Sequence, residues 1–147
     1  MAVIIREARP EDYETLCALF EQMDALDREH LPHIFQEPDG PARDKGYILQ
    51  LIFDKDTGLF VAEEENQVIG MIHILLATAQ DLPIYVPRCY AILCHVAVVE
   101  ENQRQGVGSL LMQTSEQWAR EHGADSIELG VREFNTGART FYRQSGL

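Results

Sequence analysis

The chain has 147 residues, 46% hydrophobic and 24% charged, which is the length and composition of one compact domain, residues 1–147, with a buried core. Its 12 basic and 24 acidic residues give a formal charge of −12. That excess argues against a nucleic-acid partner, whose affinity rests on phosphate neutralisation, and favours cationic partners such as an amine.

The first residues, Met1-Ala2-Val3-Ile4-Ile5-Arg6, lack the basic start, long apolar centre and small-residue cleavage site of a secretory signal. They read instead as a first strand over residues 3–8. Pro10 suits a helix start, Glu11 and Asp12 suit its positive end, and Leu16, Leu19, Phe20 and Met23 share a face. A first helix is therefore expected over residues 10–25. Residues 27–46 turn polar and carry Pro32, Pro38, Gly40 and Pro41, which predicts a long loop containing His30, Leu31, Pro32, His33, Ile34 and Phe35.

A second helix is expected over residues 44–53, with Tyr47, Ile48, Leu51 and Ile52 inward. Strands over 59–63 and 68–77 are joined by Glu64-Glu65-Asn66-Gln67, which reads as a hairpin turn. The apolar run at 68–77 contains Gly70 and His73 and falls short of the roughly 20 residues of a membrane span, so no membrane partner is expected. A loop with Pro83 and Pro87 leads to a central strand over 89–99. Cys17, Cys89 and Cys94 are odd in number and lack metal-type spacing. They read as free thiols of a cytoplasmic protein without a metal, Cys94 being a small buried hydrophobe.

After the strand come Gln103-Arg104-Gln105-Gly106-Val107-Gly108-Ser109, and then Leu110, Leu111, Thr114 and Trp118 at helical spacing. This third helix should stop at Gly123, a glycine C-cap, before a fifth strand over 126–131 and a fourth helix from Asn135-Thr136. Glycines at the strand-to-helix junction let a ligand approach the backbone and leave first-turn amides free for an anion. The dinucleotide fingerprint fails, because its third glycine position is Leu111. A Walker A loop fails too, since Gly108 is followed by Ser109 without a lysine.

The same stretch, Gln-Arg-Gln-Gly-Val-Gly after Val96-Ala97-Val98, resembles the acetyl-CoA pyrophosphate loop of the GNAT superfamily of N-acetyltransferases, Arg/Gln-x-x-Gly-x-Gly/Ala. A second stretch, Asn135, Ala138, Phe141, Tyr142 and Gly146, resembles that family's second CoA-binding helix. The resemblance implies an α/β fold, the GNAT fold, with a mixed central sheet flanked by helices in the order βααββ-βα-βα. The family usually adds two strands after the last helix, and here the sequence given stops at Leu147, so the fifth strand is expected to show an open edge.

The resemblance also implies roles. Acetyl-CoA would be the co-substrate and a primary amine, of a small molecule or a protein, the acceptor. The pantetheine arm would follow the backbone of Val96 and Val98. The diphosphate would rest on Gln103, Arg104, Gln105, Gly106, Val107, Gly108 and Ser109, with Asn135 and Ala138 contributing from the last helix and Arg104, Arg139 and Arg143 supplying local positive charge. Tyr142 would give a proton to the departing thiolate. His30, His33 and Phe35 would lie on the acceptor side. Some relatives place a base on the fourth strand, at positions occupied here by Ile92 and Cys94, neither of which can serve. His95 is adjacent, but alternation turns it to the opposite face unless a bulge intervenes. Homodimers are common in the family. The alternative is a non-catalytic CoA-binding sensor or regulatory module on the same scaffold.

Overall fold

A computed structural model describes residues 2–146. Strand β1 (Ile4–Glu7) is followed by a 3-10 turn (Pro10–Asp12) and helix α1 (Tyr13–His30), then helix α2 (Lys45–Phe53). Strands β2 (Thr57–Glu64), β3 (Gln67–Thr78) and β4 (Cys89–Val98) come next. A 3-10 turn (Glu100–Asn102), helix α3 (Val107–Glu121), strand β5 (Ile127–Leu129) and helix α4 (Thr136–Gln144) complete the order. That order is βααββ-βα-βα, as the resemblance implies. The five strands lie in one sheet in sequence order, antiparallel except for the parallel pair β4 and β5. No helix among the described residues is long and apolar enough to cross a membrane.

Local chemistry explains most boundaries. The β2–β3 loop holds Glu65 at φ 51° and Asn66 at φ 64°, two successive left-handed residues as a two-residue hairpin of type I′ requires. Asp44 caps α2 by accepting from the Tyr47 amide at 2.7 Å. Helix α3 ends in a Schellman arrangement: Gly123 stands at φ 84°, with its amide on the Arg120 carbonyl at 3.1 Å and the Ala124 amide on that of Ala119 at 2.9 Å.

Some expectations need correction. Tyr47, expected inward on α2, is exposed. Helix α1 runs to His30 rather than residue 25, since no proline or glycine interrupts it before Pro32, and the Leu31 amide still donates to the Asp27 carbonyl at 2.8 Å. His30 therefore sits on a helix end, not in a loop. Strand β5 is three residues long rather than the six expected over 126–131, its last pair, Leu93–Leu129, lying just before the irregularity in β4.

Each face of the sheet has its own core. One packs Phe60, Ile72, Ile74, Ala91, Leu93 and Val98 against Leu111, Met112 and Trp118 of α3. The other packs Leu59, Val61, Met71 and Ala97 against Leu16, Leu19 and Phe20 of α1 and Ile48 of α2. Phe20, Leu16 and Ile48 are fully buried, each worth about 1.5–3 kcal/mol in transfer free energy.

These clusters expose the decisive irregularity. Ile74 pairs with Leu93 and His73 with His95, so Cys94 has no partner and β4 carries a bulge. Ahead of it the odd-numbered Ala91 and Leu93 face α3; after it the even-numbered Val96 and Val98 do. His95 is thereby turned, with Ala97, onto the α1 face. That is the face Ile92 also occupies by alternation.

Candidate functional site

Strands β4 and β5 pair from Ala91–Ile127 to Leu93–Leu129, and past the bulge β3 is the one strand paired with β4 among the described residues. The Val99 amide donates to the Ile69 carbonyl at 2.8 Å, which sets the alternation of the antiparallel ladder. By that alternation Val96 and Val98 direct their backbone groups away from β3, into the gap. The Val98 carbonyl accepts from the Gln103 side chain at 2.9 Å and from the Gln22 side chain at 3.0 Å. Gln103 thus closes the loop onto the strand instead of reaching outward.

The strand leads directly into the glycine loop. Arg104 has φ 66° and Gly106 φ 85°, and among the described residues no backbone amide from Arg104 to Ser109 donates a hydrogen bond. Left-handed residues in such a turn bend successive N–H groups toward a common point, and α3 adds its positive end. A Cβ built on Gly106 meets nothing within 4 Å, so the space above the loop is open. Val107 is 2% exposed, its side chain in the core, which leaves only its amide for a ligand. The loop and the β4 edge therefore fit an extended group with an anionic end.

Gly108 has a different task from Gly106. A Cβ there would stand 3.0 Å from Cε1 of Phe141, so the missing side chain lets α4 lie close against α3. Replacing Gly108 by Val should displace Phe141 and cost about 1–3 kcal/mol in overpacking, read as a fall in Tm. Adding Phe141→Ala should recover part of the loss if this contact is its cause.

Asn135 and Ala138 are occupied with each other. The Asn135 side chain caps α4 by accepting from the Ala138 amide at 3.1 Å, which spends both polar groups on starting the helix. Tyr142 follows one turn later, half-buried against the α3-side core, with its ring 5.5 Å from that of Phe141. Burial pushes its phenol above the ordinary value, and among the described residues its hydroxyl has no hydrogen-bond partner.

On the α1 side, three contacts join the end of α1 and the following loop to the segment between β5 and α4. Arg132 Nε donates to Asp27 at 3.1 Å, the same guanidinium lies 5.0 Å from the centre of the Phe35 ring, and His30 stacks on Phe134 at 4.1 Å. His30 and Phe35 are thus brought together. His33 is exposed and takes no part.

A pair that sequence reasoning missed lies on the same, α1 face of the sheet. His73 and His95 meet across β3 and β4 with their Nδ1 atoms 3.2 Å apart. His73 stood out only as a histidine within an apolar strand. Recognising its partner required the register, and hence the bulge.

Residues 20–147 match the model of the Acetyltransferase (GNAT) family, and the chain belongs to that family. It is 32% identical over 96 residues to N-acetyltransferase 8B of Rattus norvegicus, covering 63% of this chain and 40% of that one. It is 27% identical over 105 residues to an N-alpha-acetyltransferase of Sulfurisphaera tokodaii, covering 68% and 62%. The chain therefore spans less than two thirds of the length of either relative. Among solved structures, a mutant of the BH1408 protein of Bacillus halodurans superposes with a TM-score of 0.93 at 26% identity, covering 98% of this chain and 92% of that one. An aminoglycoside acetyltransferase from an uncultured soil metagenomic sample shares the fold, with a TM-score of 0.74 at 20% identity over 97% and 86%.

Proposed function

We propose that the chain works as one N-acetyltransferase domain, moving the acetyl group of acetyl-CoA directly to a primary amine. One juxtaposition carries this reading. The β4 edge at Val96 and Val98, which β5 does not pair, runs straight into six amides, from Arg104 to Ser109, that donate no hydrogen bond among the described residues. Those amides would hold the diphosphate and the strand edge the pantetheine arm; when bound, acetyl-CoA supplies an acyl group activated as a thioester. The two relatives, N-acetyltransferase 8B and an N-alpha-acetyltransferase, support an amine as acceptor. The three cysteines are unpaired, which suits a reducing compartment such as the cytoplasm.

The chain's own groups divide the work. Backbone N–H groups at the β4 edge are the available donors to a carbonyl oxygen gathering negative charge. Tyr142 keeps its proton on Oη at neutral pH, because burial disfavours the phenolate, and is the available proton donor to a leaving sulfur. Ile92 and Cys94 offer no base: one is aliphatic, and burial raises the thiol of the other above its ordinary value. The amine then enters in its neutral form, drawn from bulk water.

The test is thiol release from acetyl-CoA across a panel of primary amines. Release with at least one amine is expected. Tight acetyl-CoA binding with no release from any amine would favour the sensor alternative, and no binding would remove both.

A further inference from the structure

His73 and His95 are buried titratable groups that the acetyl-transfer reading leaves without a task. Burial, and then the neighbouring His95, bring the His73 pKa down to about 4. His95 is lowered as well, by burial first and then by Arg43 ahead of α2, while Asp24 and Asp27 of α1 pull the other way. Phe20 of α1 meets the His95 ring edge-on at 5.1 Å. At neutral pH both imidazoles are therefore uncharged.

Two uncharged rings with Nδ1 atoms 3.2 Å apart share one proton at that contact, carried by one ring or the other. The far nitrogens decide which. His73 is 4% exposed, and among the described residues its sealed Nε2 has no partner. The Nε2 of His95 has none among them either, but it is not sealed. A sealed bare lone pair is tolerated better than a sealed bare N–H. The shared proton accordingly sits on His73 Nδ1, which donates to His95 Nδ1, and His95 carries its own proton on Nε2, toward accessible space. In that form His95 has no lone pair with which to take a proton from an amine. It is a donor.

The bulge puts this donor on the α1 face, one residue before the open edge at Val96 and across the sheet from α3. We propose that His95 recognises the acceptor by donating Nε2–H to an oxygen on it, so that the preferred substrates are primary amines with a neighbouring carbonyl or hydroxyl group, and that His73 is a positioning residue fixing the donor tautomer. This rests on the acetyl-transfer reading.

Nitrogen NMR of the imidazoles at neutral pH should find protons on His95 Nε2 and His73 Nδ1. A proton on His95 Nδ1 overturns the inference, whatever the turnover. In steady state, kcat/KM for glycinamide should exceed that for propargylamine, a primary amine of similar basicity without the carbonyl, roughly 10-fold, the scale of one hydrogen bond. His95→Asn, which keeps an atom against His73 but loses the outer N–H, should erase that ratio, and His95→Gln, which restores an N–H near the Nε2 position, should recover most of it. His73→Leu should narrow the ratio and shift the His95 tautomer, whereas a merely structural His73 would lower Tm alone. No preference in the wild type, or loss of kcat in His95→Gln together with an acidic limb of the pH profile, overturns the inference. A wild type that binds acetyl-CoA yet acetylates neither these amines nor any other fails the acetyl-transfer reading in its own assay, and the acceptor contact falls with it.

Discussion

Replacing Tyr142 by Phe should lower kcat by roughly 10²- to 10⁴-fold, the range of a positioned general acid, while acetyl-CoA affinity stays near that of the wild type. The exchange removes one oxygen and keeps the ring, so the packing of Tyr142 against Phe141 and the α3-side core survives. Among the described residues the hydroxyl, which is not sealed from solvent, has no partner to lose, so little stability should go with it. Because burial raises the phenol, the alkaline limb that Tyr142 governs should lie above the ordinary tyrosine value: activity persists while Oη is protonated and falls as it ionises. Rapid-quench and pH-rate measurements on the wild type and Tyr142→Phe check both points. An unchanged rate of the chemical step would remove the assigned role.

Replacing Gly106 by Val should weaken acetyl-CoA binding roughly 10- to 150-fold, equivalent to losing one charge-assisted hydrogen bond of about 1.5–3 kcal/mol. The reason lies in the backbone. At φ 85° a β-branched residue is strained, so the loop would rotate to relieve it and turn its amides off their common point. Beyond the two neighbouring residues, no atom of the described residues stands within 4 Å of the new Cβ, so steric conflict with the rest of the fold contributes little. Arg104→Ala should cost less, because the exposed side chain is removed while the amide stays. Calorimetry of both variants, with Tm as a control for folding, tests the ordering. Normal binding by Gly106→Val would contradict the loop assignment.

The parts of the fold that are legible in the sequence are those set by local chemistry. Glu65-Asn66 marks its hairpin, Asp44 its helix start and Gly123 its helix stop, each through a short-range backbone preference. The strand-loop-helix junction from Val96 to Trp118 is legible for the same reason, since glycine spacing and helical periodicity are both local. What escaped was set by pairing. Nothing in Cys89–Val98 marks Cys94 as the residue without a partner, yet that single insertion turns His95 to the α1 face and frees Val96 and Val98 from β5. The cap at Asn135 shows the opposite limit: the residue type was noticed, but only the geometry revealed that its oxygen starts α4. Likewise His30 belonged to a longer helix, because an uninterrupted chain up to Pro32 continued α1 past its apolar stripe.

The most direct test follows backbone amide resonances during titration with CoA. The account predicts the largest shifts at Val96, Val98 and the amides from Arg104 to Ser109, with α2 and the β2–β3 hairpin unmoved. A folded protein whose resonances are unchanged by CoA, or shift only away from the β4 edge and the loop ahead of α3, would contradict it.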